Sequence, residues 1–150
     1  MSVLRVTKEF TFEMAHALYG YNGACKNIHG HSYKLSVCVI GKVINKTNDA
    51  KTGMVVDFTD IKDIVKTLII DKFDHSLVLN GNSPHQKFAD TKNLFEKIIL
   101  TEYQPTCENL LIDFAGKLQA SLPKNLKLHH LNLRETSTSY AEWYADDNRS

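Results

Sequence analysis

The stretch Leu4-Arg5-Val6-Thr7-Lys8-Glu9-Phe10-Thr11-Phe12-Glu13-Met14-Ala15-His16 alternates almost from end to end. Leu4, Val6, Phe10, Phe12, Met14 and His16 fall on one face of a strand; Arg5, Thr7, Glu9, Thr11 and Glu13 fall on the other. A second stretch repeats the pattern. His29, His31, Tyr33, Leu35, Val37 and Val39 oppose Ser32, Lys34, Ser36 and Cys38. Each of the three histidines therefore extends an apolar stripe. The period predicts two long strands, residues 3–16 and about 31–44, joined by the turn-rich Tyr19-Gly20-Tyr21-Asn22-Gly23.

Working outward, residues 45–53 read as a polar turn. Asp57 reads as the N-cap of a helix carrying Phe58, Ile61, Ile64, Val65 and Leu68 at helical spacing. A second helix is expected after Pro105, with Thr106 as cap, Glu108 in the first turn, and Leu110, Leu111, Phe114, Leu118 and Leu122 on its apolar face. Within residues 80–104, Leu94, Phe95, Ile98 and Ile99 suggest a short extra helix. Two closing strands follow, about 126–136 and 139–145. The plan is ββααββ: an α+β domain of four antiparallel strands with two helices on one face. Such a sheet keeps two open edges, which invites closure into a barrel by a symmetric oligomer.

The chain has 150 residues, a length that suits one domain, 1–150. A net charge of +1 leaves no electrostatic footprint for nucleic acid or an anionic membrane as partner. No apolar run approaches the ~18 residues of a membrane span, and no leader is read before the first strand. Three cysteines, Cys25, Cys38 and Cys107, are too few and odd in number for a disulfide framework. The expected location is the cytoplasm.

Three neutral imidazoles from His16, His29 and His31 would make the ligand set of a catalytic zinc site, with one position left open. Taken singly, each is better explained as a hydrogen-bonded core or interface histidine. Zinc is preferred to iron because no carboxylate aligns with the histidines to complete a facial triad. His75, His85, His129 and His130 carry weaker metal arguments; His129 and His130, adjacent on a strand, should face opposite ways. Cys25, four residues before His29, would feel the cation as a lowered pKa. It reads as a base or nucleophile, or else as a fourth ligand or an idle loop thiol. Cys38 and Cys107 read as structural. Asp74-His75 is a competent acid/base pair in principle, although helix C-terminal capping is the better explanation of the pair taken alone. Glu135 ends an apolar strand face. It reads either as a salt-bridge partner of a Lys or Arg, or as an acceptor for a ligand with two adjacent N–H donors.

Six segments then appear in order: Phe12-Glu13-Met14-Ala15-His16, Cys25-Lys26-Asn27-Ile28-His29-Gly30-His31, Gly53-Met54-Val55-Val56-Asp57-Phe58, Phe73-Asp74-His75, Pro105-Thr106-Cys107-Glu108-Asn109 and Leu133-Arg134-Glu135-Thr136. With them the chain resembles the 6-pyruvoyl-tetrahydropterin synthase superfamily, most closely its bacterial branch, the 6-carboxytetrahydropterin synthases of queuosine precursor biosynthesis. The resemblance implies a tunnelling fold (T-fold) whose trimers close a barrel and stack as a homohexamer, with active sites at subunit interfaces. It implies Zn2+ on His16, His29 and His31. It makes Cys25 the catalytic thiol, and Asp74 and His75 the acid/base dyad, supplied by a neighbouring subunit. Glu135 would anchor the pterin ring, with Thr106, Cys107 and Glu108 along its pocket. The implied reaction turns 7,8-dihydroneopterin triphosphate into 6-carboxy-5,6,7,8-tetrahydropterin, acetaldehyde and triphosphate. Three residues between Cys25 and His29 resemble this branch; the animal pyruvoyl-forming enzymes have a longer spacer, and a further branch has glutamate in place of the cysteine. Cys107 departs from the Ser or Thr usual there. The alternatives are pyruvoyl-tetrahydropterin synthesis and a non-catalytic, zinc-stabilised pterin-binding oligomer.

Overall fold

A computed structural model of the protein describes residues 2–91 and 93–149. β1 (Val3–His16) and β2 (His29–Lys42) pair antiparallel over their full length, from Val3 opposite Lys42 to His16 opposite His29. β5 (Leu126–Thr136) pairs with β2, and β6 (Ser139–Tyr144) pairs with β5, both antiparallel. These four are the strands expected from alternation. Two short strands extend the sheet beyond them, β3 (Ser76–Asn80) beside β1 and β4 (Ile98–Thr101) beside β3, both parallel. The order across the sheet is β4-β3-β1-β2-β5-β6. Neither short strand alternates. Each is a brief apolar run, which periodicity cannot tell from a helix segment.

The short helix expected from Leu94, Phe95, Ile98 and Ile99 does not form. A 3-10 segment (Pro84–Thr91) precedes a turn that leaves Leu94 and Phe95 exposed. The isoleucines instead enter β4, where Ile98 and Ile99 pair with Leu77 and Val78. The i, i+1, i+4, i+5 spacing was shared by chance with a β-branched run that favours an extended chain.

Asp57 caps α1 (Phe58–Val65), its carboxylate accepting from the Thr59 N–H at 2.8 Å. The rod continues through a π turn (Lys66–Ile70) into α2 (Asp71–Phe73). The wider turn shifts the helical phase. As a result Ile69, rather than the expected Leu68, is fully buried beside Ile61 and Val65. Thr106 caps α3 (Cys107–Ser121), which buries Leu110, Leu111, Phe114, Ala115 and Leu118. α1 and α3 pack on the face of the sheet carrying Phe12, Met14, Tyr33, Leu35, Val37, Leu131 and Leu133. Phe12 stacks on Tyr33 at 5.1 Å and meets the edge of Phe114, which also meets Phe73 at 5.0 Å. No helix among the described residues is long and apolar enough to cross a membrane.

One expectation fails at the β2–β5 pairing. Cys38 pairs with His130 but Val39 pairs with Leu128, so His129 is an extra residue in β5. This β-bulge breaks the alternation, and His129 and His130 lie on the same side, their Nδ1 atoms 2.8 Å apart.

Phe114 joins three elements at 0% exposure. Phe114→Ala should therefore lower the unfolding free energy by about 3–5 kcal/mol, read as a shifted midpoint in a denaturant titration at unchanged slope. A shift below the cost of a surface substitution would remove Phe114 from the centre of the core.

Candidate metal centre and catalytic cavity

The β1–β2 register brings the three histidines together. His16 faces His29 across the ladder, and His31 lies opposite Met14, two pairs further in. Ring centroids are 4.6 Å (His16–His29), 5.0 Å (His29–His31) and 5.4 Å (His16–His31) apart. One nitrogen from each ring falls within 4.8 Å of the others.

Backbone carbonyls set the tautomers. His16 Nδ1 lies 2.7 Å from the Pro105 carbonyl, and His29 Nδ1 lies 2.7 Å from that of Asn27. A carbonyl only accepts, so both Nδ1 atoms carry the proton and both Nε2 atoms offer a lone pair. Those two Nε2 atoms are 3.1 Å apart. Two lone pairs at that distance repel unless a cation lies between them. His31 Nε2 is buried with no hydrogen-bond partner. Burial holds the His16 pKa below its ordinary value, which keeps the ring neutral near pH 7. An all-imidazole donor set, with one nitrogen buried and unpartnered, fits a borderline transition metal such as zinc. One carboxylate comes closer than the strand pattern implies: Glu135 Oε1 is 3.6 Å from His31 Nε2.

A cavity of about 300 Å³ opens beside His16. Its walls include Cys25, Thr106, Cys107, Glu108 and Glu135, contributed by a loop, the start of α3 and the end of β5. Cys25 is half-buried in a 3-10 turn (Ala24–Lys26), its carbonyl accepting from the Leu18 N–H at 2.9 Å. Gln104 Nε2 donates to the Tyr19 carbonyl at 2.9 Å and ties this loop to the segment that holds His16. Glu135 has no Lys or Arg partner among the described residues; the Tyr33 hydroxyl donates to it at 3.4 Å. Its remaining lone pairs face the cavity and suit a ligand's N–H donors. Cys107 donates its thiol proton to the Leu133 carbonyl at 3.3 Å, and burial together with the Glu135 charge pushes its pKa up to about 12. It is a neutral donor in the wall, which leaves Cys25 as the thiol available for chemistry.

Asp74 and His75 lie elsewhere. They line a separate groove with Glu13, Ser32 and His31, so the histidine cluster stands between that groove and the Cys25 cavity. Asp74 accepts from the Glu13 N–H at 2.9 Å and pairs with His75 Nδ1 at 3.0 Å. The Glu13 N–H, and then His75, hold the Asp74 carboxyl below its usual range. His75 adopts a left-handed φ of 59°, secured by its N–H donating to the Glu13 carbonyl at 2.6 Å. Strain of this kind persists where surrounding structure over-determines it, often at functional sites. His75 is exposed, and the pair lines this groove and not the Cys25 cavity.

Sequence reasoning passed over Tyr21 and Tyr140 in the cavity wall and the carbonyls of Asn27 and Pro105 behind the histidines. Only the shared stripe of Tyr33 with His31 hinted at its hydroxyl reaching Glu135.

The profile of the family described as 6-pyruvoyl tetrahydropterin synthase matches residues 5–146. A Haemophilus influenzae protein named 6-carboxy-5,6,7,8-tetrahydropterin synthase is 34% identical over 143 residues, 94% of this chain and 99% of its own. Among solved structures, an uncharacterized protein of Wolinella succinogenes superposes with TM-score 0.79 at 19% identity, over 97% of this chain and 99% of its own. A 6-pyruvoyl tetrahydropterin synthase of Plasmodium falciparum superposes with TM-score 0.67 at 26% identity, over 96% and 99%. On this sheet, this histidine cluster and these matches, the chain belongs to the 6-pyruvoyl tetrahydropterin synthase family.

Proposed function

We propose that the protein is a zinc-dependent 6-carboxy-5,6,7,8-tetrahydropterin synthase acting on 7,8-dihydroneopterin triphosphate, in a pathway such as queuosine precursor synthesis. The observation that carries the reading is the cavity in which His16, Cys25 and Glu135 meet. The choice of the carboxy-forming branch rests on the name carried by the Haemophilus influenzae relative and on the Cys25–His29 spacing.

His16, His29 and His31 would hold the zinc. When bound, zinc supplies a Lewis acid at an open position, lowering the pKa of hydroxyls brought to it. Glu135 accepts from the amino and ring N–H groups of the pterin and fixes its register in the cavity. Cys25, as thiolate, removes a proton from the substrate side chain. The dihydropterin ring takes up the electron pair that the side chain gives up as it is oxidised and cleaved, so no nicotinamide or flavin is required. His75, oriented by Asp74, moves protons as water adds its oxygen to the carbon that becomes the carboxylate and as acetaldehyde and triphosphate leave. That pair lines a groove apart from its own Cys25 cavity and would serve a neighbouring subunit. We therefore propose a homohexamer of stacked trimers, closed through the free edges of β4 and β6. The reading includes a single domain over residues 1–150 and a cytoplasmic location.

The deciding experiment incubates zinc-loaded protein with 7,8-dihydroneopterin triphosphate and analyses products by mass spectrometry with an acetaldehyde assay. Carboxytetrahydropterin with acetaldehyde is expected; a pyruvoyl product without acetaldehyde would move the protein to the other branch. His29→Ala should lose bound zinc, read by elemental analysis, and full metal content would refute the ligand set. Cys25→Ala should retain zinc and fold and lose at least about a hundredfold in kcat, the scale of one lost proton-transfer group. Near-normal turnover would end the thiol's role.

A further inference from the structure

We propose that Cys38, His129 and His130 form a second transition-metal site, of mixed thiolate and imidazole chemistry, on the face of the sheet opposite the three-histidine centre. It stands independently of the reaction proposed above.

One donor atom from each of the three residues lies within 4.8 Å of the others. The site exists because of the bulge. In an unbroken ladder His129 and His130 would face opposite ways; with His129 inserted, both imidazoles come to the same side as Cys38. Cys38 is 1% exposed, and its sulfur makes only a long 3.9 Å contact to the Val39 carbonyl. Both histidines are half-buried, and His130 is backed by Tyr144, stacked at 4.9 Å. Ring, bulge and ladder thus hold the donors without a metal. One sulfur and two imidazole nitrogens suit Zn2+ or Co2+ and do not suit Mg2+ or Ca2+, which take oxygen ligands. Three protein ligands leave a fourth position for water or a small ligand.

The hydrogen bonds around the two rings set what a metal must displace. Arg5 Nε donates to His129 Nε2 at 2.9 Å, so the proton of that ring is on Nδ1 and is donated to His130 Nδ1. A metal on both Nδ1 atoms takes the place of that proton. The His129 proton moves to Nε2, the Arg5 contact opens, and Cys38 releases its thiol proton to solvent as the sulfur binds. Arg5 therefore competes with the metal for the same ring.

The test titrates the full-length protein with Co2+ and follows both stoichiometry and the near-ultraviolet thiolate-to-cobalt charge-transfer band. Two equivalents per chain are expected. The sulfur band should vanish in Cys38→Ser and persist in Cys25→Ala and His29→Ala. His130→Asn, at a half-buried position, should lose the same equivalent and covers the case in which Cys38→Ser folds poorly. Arg5→Met should tighten the second equivalent about tenfold or more, since a charge-assisted hydrogen bond no longer opposes it. A single equivalent without a sulfur band, a band that follows Cys25, or an unchanged affinity in Arg5→Met would overturn the proposal.

Discussion

The pairing of β1 with β2 is the constraint on which the rest of the molecule depends. Strand side chains have a period of two, so a slip of one residue would send His29 and His31 to the open face and leave His16 behind. The core prevents that slip. Tyr33, Leu35, Val37 and Val39 share the histidines' face and are 0% exposed against the helices. Turning them outward would forfeit about 1.5–3 kcal/mol for each large apolar side chain. The three histidines thus inherit their positions from hydrophobic burial along the same pair of strands.

The second tie runs through the start of α3. Pro105 cannot donate a backbone hydrogen bond, but its carbonyl accepts from His16 Nδ1, and the next residue, Thr106, caps the helix through the Asn109 N–H. Docking of α3 on the sheet, the tautomer of a ligand and the wall of the cavity are therefore fixed by three consecutive residues, Pro105 to Cys107. Gln104 adds the Cys25 loop to the same anchor through Tyr19. A substitution in α3 can disturb the histidine cluster without touching it.

What the sequence made legible follows from where its periodicity was clean. The long strands and both helix caps were readable because alternation and capping chemistry are local. Convergence of the three histidines was readable because each sat in phase with an apolar stripe. β3 and β4 were not, since a four- or five-residue apolar run has no period to measure. The full burial of Ile69 was not legible because the π turn that brings it inward leaves no mark in spacing; Leu68 packs partly buried against the core. His129 and His130 were separated on paper by a rule that the bulge suspends.

The split between the two cavities carries the last step. Within one protomer the thiol and the Asp74–His75 pair approach the histidine cluster from different sides: His16 borders the first cavity, and His31 borders the groove. An acid/base pair must come within hydrogen-bond reach of the group it serves, and His75 is exposed on a strained backbone that β1 holds in place. The Asp74–His75 pair therefore borders a surface that the Cys25 cavity does not share. The groove that carries it is edged by Leu94 and Phe95, exposed at 73% and 48%, and exposed apolar side chains grouped beside polar ones are a feature of contact surfaces. The turn before β4, a stretch with no readable function in the sequence, thus borders the groove that holds Asp74 and His75.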